Sequence, residues 1–472
     1  MLNRIPVVSP VLCVTMLLLI GLSGRLTTSG EDHKAVPCWP AFLGVGATPI
    51  KNPDSIPIHW SPIENIAWKA KLPGQGQSSP VIWGDKVYVT SLEGTIRDKC
   101  HVTALRLSDG SVVWDVTIPS ALTGDSSYYH SRAAPTPVVD SNGVYAFFET
   151  GNLVAINHAG KKLWERNLVK EYGEFITPHG LGASPAQWQD KIYVLVDHLG
   201  PSYLLAVDKA TGKTVWKVDR TSRQSWSSPA ILVANGKAQV VCSSSGSVDG
   251  YDAETGKLLW SIQDVGGNNV PTPVCFAAGK LLIAASPGRD NKYEPEARRS
   301  NFCLEVSYQK SQWQSRVVWR VKALASFASP HVHQGVAYWT NSVGGLFAYD
   351  LDTGKELYTT RLKQSCWATP IGVGDRVYFF GKDGLTTVLR SGQKLEVLAE
   401  NQLWENQPAG AKAKDDHHAA QSKPAPGQGT SRKGPGGLDF PDPVQYGAAV
   451  VDGALVIRTG AVVYCIRHTR AK

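Results

Sequence analysis

The chain has 472 residues, including 45 Gly, 15 Trp and 16 Tyr, and carries a formal net charge of +8. Apolar runs rich in β-branched and aromatic residues, broken by Gly, Asp and Asn turns, point to short strands and exclude a mainly helical protein. The charge is modest for this length and is not gathered into a dense Lys/Arg patch, which argues against a nucleic-acid partner.

In chain order, Arg4 precedes an apolar stretch at residues 7–22, followed by the small residues Ser23 and Gly24. A charged start, a short apolar core and small residues read as a secretory signal over residues 1–24. The stretch is short for a membrane span, which needs about 20 apolar residues; an uncleaved N-terminal anchor is the alternative. Either way the body is expected to be exported, periplasmic or envelope-associated. Seven cysteines follow Cys13: Cys38, Cys100, Cys242, Cys275, Cys303, Cys366 and Cys465. Export permits disulfides, and an odd count leaves a thiol over. The simpler reading of most of them is small apolar residues buried on strands.

Residues 25–65 read as an irregular Pro-rich segment (Trp39-Pro40, Asn52-Pro53, Ser61-Pro62). Residues 66–72 then look like the last strand of a repeat, with Trp68 in an indole position, although no repeat precedes them.

Full units begin at Ser79-Pro80. Residues 206–216 (Ala-Val-Asp-Lys-Ala-Thr-Gly-Lys-Thr-Val-Trp) are repeated closely at 250–260 and 348–358, and more loosely at 104–114 and 155–164. Recurrence at steps of about fifty residues marks a solenoid, propeller or array. Each unit opens on a small residue before Pro, runs through two strands and ends in a hairpin and an indole. The Asp-x-x-Thr-Gly-Lys stretch is that hairpin, with Asp capping the turn and Gly taking the positive φ. Trp114, Trp164, Trp216, Trp260, Trp319 and Tyr358, with Trp68, are expected to dock one unit on the next. Asp208, Asp252 and Asp350 are accordingly read as turn residues rather than metal ligands. The seventh unit lacks the indole. The eighth ends after three strands, and the strand at 66–72 supplies the fourth. The expectation is an all-β, eight-bladed β-propeller of four-stranded antiparallel blades over residues 66–472, closed by the N-terminal strand joining the C-terminal blade.

Two stretches depart from the repeat. Residues 286–301 form a charged insertion. Residues 406–437 are rich in Pro, Gly, Ala, Lys and Gln and read as a disordered loop; their Asp415-Asp416-His417-His418 run is read as solvated charge rather than a metal site.

The units at 206–216 and 250–260 resemble the tryptophan-docking repeats of the pyrroloquinoline quinone (PQQ) repeat β-propellers. The stretch Trp39-Pro-Ala-Phe-Leu-Gly44 with Ile66-Ala-Trp-Lys69 is similar to exported bacterial PQQ-like proteins. The resemblance covers most of residues 66–466. It implies either a quinone-dependent alcohol dehydrogenase or a protein without quinone, such as the propeller lipoprotein of the outer-membrane β-barrel assembly machinery. In the dehydrogenases the quinone stacks on a disulfide between adjacent cysteines, beside a calcium held by Glu, Asn and a catalytic Asp. Adjacent cysteines are missing here, and no such ligand set can be assembled from the sequence. The expectation is therefore no catalytic residue, no metal and no cofactor, with PQQ and Ca2+ disfavoured.

Any binding site is expected where the loops entering each first strand converge on the channel mouth. The candidates there are Gln77, His130, Arg132, His179, Arg223, Trp226, Asn268 and Trp367, with Ser78, Tyr128, Tyr129, Phe175, Gly180, Asn269 and Phe327 beside them. The expected role is envelope binding or scaffolding, with a protein or peptide partner captured at that mouth or by β-augmentation. The alternatives are a quinoprotein oxidoreductase and a glycan- or polymer-binding module using Trp226 and Trp367 as stacking platforms.

Overall fold

Blade 3 shows how the repeat folds. Its strands Ala186–Trp188, Lys191–Val196, Ser202–Asp208 and Thr214–Arg220 pair antiparallel in that order; they are called a to d from the channel outward. Strand b is buried along its whole length, whereas strand d is exposed at alternate positions. The middle strands bury both faces, because each blade is pressed between two neighbours. The computed structural model describes residues 36–124, 132–288, 292, 294–405, 442–445 and 447–469. Residues 1–24, the 406–437 stretch with Asp415 to His418, and Tyr128, Tyr129 and His130 lie outside them.

The described residues build eight sheets, each supplying one blade of a β-propeller; blades 1 to 7 span 81–119, 138–167, 186–220, 230–265, 274–320, 331–361 and 371–402. Blade 8 takes its a, b and c strands from Ala448–Val451, Ala454–Arg458 and Val462–Ile466, and its d strand from Ile66–Lys71. Ile66 lies opposite Ile466, so the two ends of the ring are joined by backbone hydrogen bonds. Antiparallel order places the d–a and b–c connections on one face, called the loop face, and the a–b and c–d turns on the other.

The residue before each opening proline forms a belt around the channel. The backbone N–H of Ser79 donates to the hydroxyl of Thr136 (2.9 Å), and Thr136 donates likewise to Ser184 (2.9 Å). The pattern continues from Ser184 to Ser228 (2.9 Å), Ser228 to Thr272 (3.0 Å), Thr272 to Ser329 (3.0 Å) and Ser329 to Thr369 (3.1 Å). Each bond satisfies a buried N–H at the start of an inner strand, where an unmade bond costs about 1–3 kcal/mol. Blade 8 has Gly447 at this position and contributes no hydroxyl.

Between blades, indoles dock on turns. Trp68, Trp114, Trp164, Trp216 and Trp319 donate their N–H to the carbonyls of Leu107, His158, Lys209, Ala253 and Leu351, at 2.8–3.1 Å, each on the next blade. Their rings lie against Gly110, Gly160, Gly212, Gly256 and Gly354, where a Cβ would come within 2.9 Å of the indole. Trp260 and Tyr358 depart from this pattern. Trp260 donates to Gln239 of its own blade (2.6 Å) while packing on Leu281, Phe302 and Leu304 of blade 5. Tyr358 packs on the Val377, Phe379 and Leu389 cluster of blade 7, and among the described residues its hydroxyl bonds no turn carbonyl of that blade. The reason is local: the c–d turn of blade 5 is Lys310-Ser311, without a glycine, and in blade 7 Gly392 has φ +149° instead of the left-handed φ of 70–84° at the five docking glycines.

The segment before blade 8's outer strand is more ordered than the sequence suggested. Cys38–Trp39 forms a fifth strand on blade 1, inside the channel, with Trp39 opposite Ile82. The Pro40 carbonyl accepts from Val139 N–H (2.9 Å) and Gln187 Nε2 (3.3 Å), which ties it to blades 2 and 3. Phe42 and Leu43 reach the inner strands of blades 5 to 8. The chain then crosses the turn face, where Asp452 accepts from the N–H groups of Lys51 and Asn52 (3.0 and 3.1 Å). It next wedges Ile56 and Trp60 between blades 7 and 8, with Trp60 stacked on Tyr378 at 6.2 Å. That fills the junction whose own blade has lost its docking indole.

In the charged insertion, residues Glu294–Arg299 form a short helix that buries Ala297. All seven cysteines after Cys13 are free thiols, five of them buried.

Candidate functional site: the loop face

The mouth residues fall into three patches on the loop face. At blades 1 and 2, Gln77 donates through Nε2 to Gln445 (2.6 Å) and accepts from Arg132 N–H (3.2 Å), while Arg132 also bonds Gln75. These side chains knit the loops to one another.

At blades 3 to 5, His179 lies 6.1 Å from the Trp226 ring, and Trp226 donates to the Gly180 carbonyl (2.9 Å). Arg223 donates to Ser247 (2.7 Å). Asn268, fully buried, donates to Ser243 Oγ and the Ser247 carbonyl, both at 2.9 Å. Asn268 is therefore a strut beneath the surface.

At blades 6 and 7, Phe327 and Trp367 stack at 3.9 Å, with the Lys382 ammonium 3.8 Å from the Trp367 ring. A cation held at that distance over an indole is an attractive cation–π contact.

Beneath the second patch lies a network that the sequence reading missed. Arg220, at the end of blade 3's outer strand, bonds Asp197 (2.9 Å), Asp249 (3.4 Å) and Ser244 (3.2 Å), with the Arg220 and Asp197 side chains 1% and 0% exposed. Removing one partner from such a pair would leave an uncompensated buried charge, at about 3–5 kcal/mol. Next to it, His198 is buried and neutral. Its Nδ1 accepts from the N–H groups of Ile176 (2.9 Å) and Gly200 (3.1 Å), and its Nε2 donates to the Pro201 carbonyl (2.9 Å). Burial holds its pKa below the ordinary histidine value. His198 thus pins a loop pair that presents Ile176 and Leu199, 56% and 55% exposed, to solvent. Phe175 packs edge-on against the His198 ring at 5.6 Å. The available signal was the polar Asp197-His198 pair closing an apolar strand.

The family model described as outer membrane protein assembly factor BamB matches residues 64–194, 179–289 and 310–431. The chain belongs to that family. It is 29% identical over 161 residues to outer membrane protein assembly factor BamB of Alkalilimnicola ehrlichii, covering 34% of this chain and 36% of that protein. It is 23% identical over 267 residues to a polyvinylalcohol dehydrogenase of a Pseudomonas species, covering 53% of this chain and 36% of that one. The chain thus spans a little over a third of the length of these relatives. Among solved structures, BamB from Moraxella catarrhalis matches with a TM-score of 0.52 at 13% identity, over 86% of this chain and 97% of that one. Quinohemoprotein alcohol dehydrogenase from Comamonas testosteroni matches with a TM-score of 0.53 at 12% identity, over 92% and 81%. At these identities the likeness is one of fold.

Family membership leaves the quinone question to the residues. Cys366, beside Trp367 at the mouth, is a buried single thiol whose pKa burial pushes up to about 12. Among the described residues no group of three His, Cys, Asp or Glu side chains is placed to hold a metal ion. This donor set does not fit a quinone stacked on a disulfide beside a carboxylate-bound calcium.

Proposed function

We propose that this protein is a cell-envelope binding or scaffold component that docks a protein partner on its loop face, over blades 3 and 4. The observation that carries this reading is the Ile176 and Leu199 pair. Both side chains are more than half exposed, and both are held in place from below by His198 and the Leu199 N–H to Ile176 carbonyl bond (3.0 Å). Apolar side chains held out to solvent by a rigid base are what an interaction site uses. Arg223 and His179 border them and add polar contacts of the kind found at an interface rim. The family description, an assembly factor of the outer membrane, supports a protein partner in the envelope.

The test is capture of partners from an envelope extract by the wild-type protein and by an Ile176→Asp/Leu199→Asp variant. Both positions are exposed, so the variant should keep its unfolding midpoint. Loss of one specific captured protein with an unchanged midpoint supports the reading; equal capture by both proteins overturns it. Mixing the protein with PQQ and calcium tests the dehydrogenase alternative, in which micromolar quinone binding with dye-linked alcohol oxidation would displace the scaffold reading.

A further inference from the structure

The N-terminal segment does not fill the channel completely. A cavity of about 60 Å³ remains between Trp39, Phe42 and Leu43 and the inner strands of blades 1 and 5 to 8. Three side chains that line it have buried polar atoms without a hydrogen-bond partner among the described residues: Trp39 Nε1, Ser79 Oγ and His331 Nε2. Ser79 is only 2% exposed. Each unmade bond costs about 1–3 kcal/mol, so three around one small space call for an occupant.

The chemistry of the lining narrows what that occupant is. An indole N–H can only donate, so the occupant must offer an acceptor. Ser79 and a neutral imidazole can each donate or accept. Burial drives the His331 pKa down to about 3, so the ring is uncharged at any physiological pH. Among the described residues no Lys, Arg, Asp or Glu lines the space. An anion would lose its hydration there with no cation to replace it, and a buried unpaired charge is far costlier than a buried neutral group. A water needs roughly 10–15 Å³ of such volume and two to four polar partners, so the cavity holds a few.

The position is where the hydroxyl belt is open. Seven blades supply a serine or threonine hydroxyl, and blade 8 has Gly447, where a Cβ would sit 2.9 Å from Ser79 Oγ. Glycine leaves the Ser79 hydroxyl uncovered on that side.

We propose that the N-terminal segment closes over a built hydration site, a cluster of ordered waters held by Trp39 Nε1, Ser79 Oγ and His331 Nε2 that completes the belt at blade 8. Bulky apolar residues on the segment cover this site, and a polar core beneath them sets where Trp39 stops.

The experiment is a crystal structure of the full chain at a resolution that shows ordered water, with a parallel bromide soak. The expected result is solvent density within hydrogen-bond distance of all three atoms and no anomalous bromide signal. Empty density, or a bromide peak, overturns the proposal, the latter by showing an anion site. The Ser79→Ala and His331→Phe variants should each lose the density at the altered atom while the segment stays seated. Retention of unchanged density in both would also overturn it. Ser79→Ala is a minimal change and keeps the test open should His331→Phe fail to fold.

Discussion

Trp164 of blade 2 donates its indole N–H to the carbonyl of Lys209 on blade 3, at 2.8 Å, and its ring rests on Gly212. Gly212 has φ +70°, and a Cβ there would lie 2.6 Å from the ring. Gly212→Ala is expected to destabilise by about 1–2 kcal/mol from the left-handed backbone alone, and by more once the indole moves. Trp164→Ala should lose about 3 kcal/mol. Urea midpoints check both; unchanged midpoints would remove the dock as a stabilising contact.

The wedge between blades 7 and 8 should matter as much as a dock. Trp60 is 3% exposed, and its backbone N–H donates to Asn401 Oδ1 at 3.0 Å. Trp60→Ala should cost about 3–5 kcal/mol, as for other buried aromatics, although the residue lies outside every repeat. A midpoint within experimental error of wild type would show that blades 7 and 8 close without it.

His101 and His198 should respond to pH in opposite directions. His101 is buried, which works against its charge. Asp115 (2.8 Å) and Glu93 (3.3 Å), the latter also paired with Lys99, outweigh that and hold its pKa above the ordinary value. Its contribution is fully present below the unfolded pKa of about 6.5 and is lost as pH rises through the folded value. His101→Asn should flatten the fall in melting temperature on the alkaline side of neutrality. A slope identical to wild type would exclude the His101 pairs as its source.

His198 is neutral in the fold, with Nδ1 accepting two backbone N–H bonds. Its pKa is depressed by burial, so folding is penalised as pH falls below about 6.5. Hydrogen exchange at the Ile176 and Gly200 amides should therefore quicken in mild acid, beyond the intrinsic pH effect. Exchange that tracks the intrinsic rate would show that protonation leaves the loop pair in place.

Arg458 is fully buried and poorly served. Its Nη1 donates to Ser78, while Nε and Nη2 have no hydrogen-bond partner among the described residues, and burial pushes its pKa down to about 9 against the opposing pull of Asp442. Replacing an unpaired buried guanidinium by an apolar chain of similar length relieves desolvation. Arg458→Met should leave stability within about 1 kcal/mol of wild type or raise it. A loss of several kcal/mol would mean that the Ser78 bonds outweigh the buried charge.

The ring was legible because it repeats. The Thr-Gly-Lys hairpins, the indoles and the strand left over at residues 66–72 recur or are conspicuously missing, and each departure has a neighbour to be compared with. The belt was visible only as a run of small residues before proline; its hydroxyl chemistry emerges once Ser79, Thr136 and Ser184 stand side by side. Trp39 and Trp60 were opaque for the opposite reason. Each occurs once, in a Pro-rich stretch with no periodicity, and its partners lie on distant blades. The mouth was legible as a place and not as an arrangement. Gln77, Arg132, Trp226 and Asn268 were found by position, but their bonds tie loops together, while Ile176, Leu199 and the His198 beneath them belong to no motif or repeat that would single them out.

Ring closure also sets an order in time. Ile66–Lys71 is made early in synthesis, and its partner Val462–Ile466 only after the strands of blades 1 to 7. Until then blade 8 lacks its outer strand and the first segment carries an open, apolar edge. Long-range pairing of this kind is slow and aggregation-prone. The final seam is thus a checkpoint: a chain truncated before Val462 has seven blades built and no way to shut the circle.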